Sequence, residues 1–207
     1  AREEELRKKE EERRMVMREL SHRSKNLLAV IQAMVSNSLR MSPDPQQFRE
    51  NLTERLAGLA RSHDLLIKTD WGSVSLAELI ATQLSAFDDP KRSRLTAHGP
   101  KVLLSPHTAQ HLGMAFHELA TNALKYGALS SPEGRVAIEW AVRQTRDGDI
   151  LILRWQESGG PEVIAPQRRG FGSTVIERLV PSTPGSTSKV DWHASGLVWE
   201  LELNLRA

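Results

Sequence analysis

The apolar residues of this chain keep a helical spacing through most of positions 1–126 and an alternating one through most of positions 135–203. That change of period constrains the fold more than any other feature. A face that repeats every ~3.6 residues and one that repeats every two belong to different elements. Helices gathered ahead of strands predict an α+β chain in which helices cover one face of a mostly antiparallel sheet.

Residues 1–18, AREEELRKKEEERRMVMR, are dense in Glu, Arg and Lys and read as a charged helical linker. The helix runs on through ELSHRSKNLLAVIQAM, residues 19–34, to about position 40, where MSPDPQQ interposes two prolines. Leu20, Leu27, Ile31 and Met34 lie within about 40° of one line on its wheel, and His22 lies about 200° from Leu20. A second helix carries Phe48, Leu52, Leu56, Leu59, Leu66 and Ile67 within about 60° of a common line. The two are expected to pair as an antiparallel helical hairpin over 19–70. The first seam serves either that pairing or a homodimer through the hairpin.

A second domain is expected over 71–207. A Ser75–Glu78 capping box opens a helix to about position 87, and a short strand follows at 94–97. Ser105-Pro106 starts a long helix that ends at Tyr126-Gly127. Strands at 136–144 and 150–157 are joined through Asp147-Gly148, which favours a hairpin. A Gly-rich stretch, a helix at 173–180 and strands at 188–194 and 197–203 complete a two-layer α/β sandwich.

Composition narrows the function classes. The 28 Lys+Arg and 26 Asp+Glu leave a net charge of +2, with no basic stripe carrying interleaved aromatics, which argues against nucleic acid. There is no cysteine for a disulfide or a thiolate metal site. No apolar run approaches the ~18 residues of a membrane span, and the N-terminus is charged where a signal peptide is apolar. A cytoplasmic location is expected.

Three segments carry chemistry. In FHELATNALKYGA, residues 116–128, Leu119 and Ala123 face the core side with Leu112, while Glu118, Asn122 and Lys125 share a stripe between about 220° and 280° from it. The Glu118/Asn122 oxygens, four residues apart, suit Mg²⁺, and Lys125 beside them suits phosphate. WQESGGP, residues 155–161, sets Glu157 at a strand end before two glycines that let a ligand approach the backbone. RRGFGSTVIERL, residues 168–179, places Gly170 and Gly172 directly before a helix. His22 and Asn26, one turn apart, stand off the core seam of the first helix. His63 is expected in the core, and His107, His111 and His193 lack metal-ligand spacing. Trp140, Trp192 and Trp199 are expected in the core or on a sheet face.

Taken in order, these segments resemble the N box and the two glycine boxes of the ATP-binding domain shared by sensor histidine kinases, gyrase-type ATPases and Hsp90 chaperones. His117 opening the N box and Trp155-Gln-Glu157 in the first glycine box resemble the HWE histidine kinases more narrowly. His22-Arg-Ser-Lys-Asn26 resembles the phosphoacceptor helix of that family and its HisKA_2-type relatives. The resemblance implies autophosphorylation of His22 with MgATP and transfer to a response-regulator aspartate, with an upstream sensor domain missing from this chain. It implies Mg²⁺ ligation by Asn122 with help from Glu118, phosphate contact by Lys125, and nucleotide lining by Tyr126. It implies adenine recognition by Glu157 beside Gly159, and a lid with Arg168 and Arg169 that ends at Gly170 and Gly172. Arg23 stands where commoner histidine kinases carry an acid, so Glu19, one turn back from His22, is the candidate proton acceptor. The alternative is a non-catalytic, nucleotide-sensing scaffold that binds a response regulator.

Overall fold

The computed structural model describes residues 2–42, 44–88, 93–163, 171–182 and 185–205. It divides into two compact units, Ala1–Leu52 and Thr53–Ala207. The first unit holds helix α1 (Arg2–Met41) and the start of helix α2 (Pro45–Lys68). No glycine or proline interrupts positions 1–42, and i,i+4 pairs such as Arg7–Glu11 and Arg14–Glu10 decorate the exposed face. Pro45 occupies the first position of α2, and Asp44 caps it by accepting from the Gln47 N–H at 2.9 Å. Asn51 Nδ2 donates to Ser42 Oγ at 3.2 Å across the break.

Residues 53–68 of α2 group with the second unit, whereas the sequence reading set everything up to 70 with the hairpin. Leu59 and Leu66 are buried as that reading required, but Leu56 and Ile67 are 37% and 54% exposed. The apolar stripe is therefore narrower than its wheel suggests. Polar side chains contribute to the packing in its place, as described below.

In the second unit, strand β1 (Val74–Ser75) pairs antiparallel with β3 (Leu103–Leu104). Helix α3 (Leu76–Leu84) starts at Ser75, whose side chain makes no capping bond, so the anticipated capping box is not closed. Strand β2 (Leu95–His98) leads through β3 to helix α4 (Pro106–Lys125). Here the cap is formed: Ser105 Oγ accepts from the Thr108 N–H at 3.3 Å, with Pro106 in the first turn.

Strands β4 (Arg135–Thr145), β5 (Gly148–Ser158), β6 (Thr187–His193) and β7 (Gly196–Asn204) join β2 in a sheet ordered β2-β4-β5-β7-β6. Among the described strands only the β2–β4 pair is parallel. The inward residues fall in cross-strand rows, Ile138–Trp155–Trp199, Trp140–Leu153–Leu201 and Val142–Leu151–Leu203. Phe116 of α4 meets Trp199 edge-on, with ring centroids 6.2 Å apart. Trp192 lies opposite Leu197 on the inward face of β6, the edge strand, and is 41% exposed there. The helix expected at 173–180 begins earlier, as α5 (Phe171–Thr174), and continues as a wider π turn over Val175–Leu179.

One helix contact is close because a side chain is absent. A methyl on Gly113 of α4 would overlap Ser62 Oγ of α2, and that hydroxyl accepts from buried Gln83 Nε2 at 2.7 Å. Gly113→Ala should therefore lower unfolding stability by about 1–3 kcal/mol despite alanine's better helix propensity. Adding Ser62→Ala should recover part of the loss. Urea unfolding followed by tryptophan emission checks both; an unchanged midpoint for Gly113→Ala contradicts the packing account.

Candidate nucleotide site

Helix α4 brings the proposed polar stripe together. Glu118 and Asn122 both converge on Gly172: a Cβ built there would lie 3.1 Å from Glu118 Oε2 and 3.5 Å from the Asn122 amide nitrogen. Glu118, Asn122 and the start of α5 thus meet at Gly172. Amide oxygen and nitrogen are assigned by convention, so turning the Asn122 amide presents its oxygen there. A carboxylate and an amide oxygen one helical turn apart are the hard donors that a magnesium ion takes. No cluster of three or more His, Cys, Asp or Glu occurs among the described residues, so protein oxygens would fill only part of such an ion's shell.

The stripe is not open, however. Glu118 is 6% exposed, and its Oε1 accepts from Arg55 Nε of α2 at 3.0 Å. Burial raises the Glu118 pKa, while the Arg55 charge pulls it back. Lys125 Nζ donates to Glu54 Oε2 at 2.6 Å. The Arg55 guanidinium also lies over the Phe171 ring, 4.9 Å from its centroid. Asn122 is exposed, and Tyr126 is 75% exposed.

His117 and Glu157 turn inward. Arg61 NH2 lies 2.9 Å from His117 Nδ1, and because a guanidinium can only donate, Nδ1 is the acceptor and the proton sits on Nε2. Burial, followed by the Arg61 charge, lowers the His117 pKa to about 4. Gly58 of α2 packs against this ring, leaving no room for a side chain. Glu157 is 4% exposed; its Oε2 accepts from the Ala128 N–H at 2.9 Å and its Oε1 from Trp155 Nε1 at 3.2 Å. Burial raises its pKa, and the two hydrogen bonds oppose that shift. Glu157 thus spans from the end of β5 to the turn after α4, with both oxygens engaged by the protein. Gly159 beside it adopts φ +69°, a left-handed backbone that glycine tolerates.

For the other expected site residues the placement is as follows. Arg168, Arg169 and Gly170 lie outside the described residues, as do the side chains of Glu19 and His22, whose backbone lies within α1. Asn26 is exposed on α1. His63 packs edge-on against Trp71, with ring centroids 5.2 Å apart, and is half-buried. Sequence reasoning missed Glu54, Arg55 and Arg61. They stand off the apolar stripe of α2 and read as solvated charges, since their partners lie 56 to 71 positions away.

Two measurements check these assignments. Between pH 6.5 and 4 the unfolded His117 takes up a proton that the folded one refuses, so its contribution is complete above 6.5 and is lost as pH falls. At one proton per molecule this amounts to about 2 kcal/mol between pH 7 and 5. Glu118 and Glu157, both raised, act with the opposite sign, so the quantity to read is parent minus His117→Asn. Asparagine keeps an acceptor for Arg61 but does not titrate; a difference that does not vary with pH contradicts the neutral buried imidazole. Glu157→Gln, in turn, sets an amide N–H against one of two donors and should lower stability by about 1–3 kcal/mol without any ligand. Urea unfolding of the ligand-free chain reads this, and no loss would mean that the inward bonds carry no weight.

The pattern of the HWE histidine kinase family matches residues 19–101. The blue-light-activated histidine kinase of Brucella ovis is 38% identical over 194 residues, 94% of this chain, and that of Brucella anthropi is 35% identical over the same share. The chain spans 40% of the length of these relatives. Among solved structures, the histidine kinase domain of the Erythrobacter litoralis EL346 blue-light activated histidine kinase aligns with TM-score 0.56 at 16% identity, covering 86% of this chain and 84% of that one. The longer EL346 structure gives TM-score 0.52 at 17% identity over 86% of this chain and 62% of that one. These two likenesses show the fold. No helix among the described residues is long and apolar enough to cross a membrane. Residues 19–101 of this chain belong to the HWE histidine kinase family.

Proposed function

We propose that the chain autophosphorylates His22 with MgATP and passes the phosphoryl group to an aspartate of a response regulator, on the cytoplasmic side where ATP is supplied. The observation that carries this reading is the convergence of Glu118, Asn122 and Gly172 on one space beside Lys125. Asn122 and Glu118 would hold Mg²⁺, and the ion when bound would neutralise charge on the phosphate oxygens. Lys125 would hold a phosphate oxygen by a charge-assisted bond. Arg168 and Arg169 would close on the triphosphate, in a lid ending at Gly170 and Gly172.

An imidazole nitrogen of His22 would attack the γ-phosphorus as the bond to the bridging oxygen breaks and ADP leaves. The displaced imidazole proton would pass to a base, for which Glu19, one helical turn away, is the candidate. Asn26, four residues on, would orient the ring. The response-regulator aspartate would then take the phosphoryl group, returning His22 to its free form. Tyr126 would line the nucleotide.

Adenine recognition by Glu157 needs a refinement. Each oxygen already accepts one protein N–H, so a base amino group would have to share an oxygen through its second lone pair. Gly159 meets the Glu133 carbonyl where a side chain would stand, so the base would have to reach Glu157 from another side.

The test is incubation with γ-labelled ATP and Mg²⁺ followed by acid or alkali. Label that survives alkali and is lost in acid, and that disappears in His22→Ala with ADP affinity unchanged, supports the kinase reading. Undiminished labelling of His22→Ala overturns the acceptor. Nucleotide binding with no labelling of the parent chain favours the scaffold that only senses occupancy.

A further inference from the structure

Adjacent residues of α2 bring opposite charges to the two charged members of the α4 stripe. Glu54 Oε2 sits 2.6 Å from Lys125 Nζ, and Arg55 Nε sits 3.0 Å from Glu118 Oε1. A nucleotide bound as proposed above would bring phosphate oxygens to Lys125 and a divalent cation to Glu118. Glu54 already supplies an anionic oxygen to the ammonium, and Arg55 already supplies a cation to the carboxylate. We infer that the Glu54–Arg55 pair is an internal stand-in for phosphate and magnesium, a clasp that competes with MgATP or MgADP for Lys125 and Glu118. The inference rests on the nucleotide reading of this site.

The surroundings allow the clasp to open only at its side chains. One to two turns further along α2, Gly58 closes on the His117 ring, Arg61 bonds its Nδ1, and Ser62 joins Gln83. These contacts fix the backbone of α2 against α4, so release means rotation of Glu54 and Arg55. The two halves differ in strength. Lys125 and Glu54 side chains are 32% and 44% exposed, so that pair is weak and screened by salt. Arg55 and Glu118 are 15% and 8% exposed, and Arg55 also rests on the Phe171 ring next to Gly172. Phosphate therefore displaces Glu54 readily, while freeing Glu118 from Arg55 requires a competing cation.

Calorimetric titration of ADP into the full chain, with Mg²⁺ or with EDTA, tests this in the parent, Glu54→Gln and Arg55→Gln, with circular dichroism to confirm folding. Glu54→Gln should tighten ADP binding about 2- to 5-fold at low salt, with the gain fading towards ~0.5 M salt. The gain should vanish in a Lys125→Met background. Arg55→Gln should lower the Mg²⁺ concentration that supports half-maximal binding at fixed ADP. Because Glu54 is half-exposed, Glu54→Gln should fold even if Arg55→Gln does not. Equal or weaker ADP binding by folded Glu54→Gln, in a chain whose parent binds ADP, overturns the clasp and leaves the nucleotide site standing. A gain that persists without Lys125 also overturns it. Absence of ADP binding by parent and variant alike overturns the nucleotide reading itself.

Discussion

The second unit depends on one carboxylate placed where an apolar residue would be expected. Glu157 follows the inward row of β5 after Trp155, is 4% exposed, and accepts from the indole of Trp155 and from the Ala128 N–H. The bond to Ala128 ties the turn that follows α4 to the end of β5. Gly127 comes so close to Glu157 that a side chain there would strike its Oε2. Gly196, at the start of β7, is likewise closed off by the Glu157 backbone. A buried acid without these partners would be protonated or would bring water inside.

The same logic covers the other two signature residues. Trp155 is fully buried and serves as the donor that Glu157 needs, while the His117 imidazole is the acceptor that Arg61 needs. Histidine, tryptophan and glutamate at these positions therefore act first on the arrangement of α2, α4 and β5. Contact with a ligand is an additional role that only Glu157 is asked to take.

Much of the architecture was legible because it rests on local chemistry. The period change near Gly127, the Ser105-Pro106 start of α4 and the β4–β5 hairpin are each written in a few adjacent residues, although the turn falls at 146–147 and Gly148 opens β5. The Glu118–Asn122–Lys125 stripe followed from helix geometry alone. What could not be read was whatever depends on partners far along the chain. Glu54, Arg55 and Arg61 look like ordinary surface charges until α4 is placed beside them. Ser75 and Glu78 match a capping box, yet the Ser75 hydroxyl makes no capping bond. The two glycines after Glu157 read as room for a ligand at the backbone, and in the structure Gly160 comes against Ala128 and Gly159 against the Glu133 carbonyl.

The order of strands in the sheet also bears on how the unit assembles. β4–β5 and β6–β7 are tight hairpins, each closed across a two-residue connection. The β5–β7 seam and the parallel β2–β4 edge join residues some forty to fifty positions apart, whose loop closure must be met before either ladder gains a bond. Non-local pairing of this kind slows folding, and it leaves β2 and the β7 side of the first hairpin unsatisfied while the hairpins already stand. Those two edges are where an incompletely synthesised or heat-stressed chain would expose strand to a neighbour, an order that pulse-labelled hydrogen exchange would resolve.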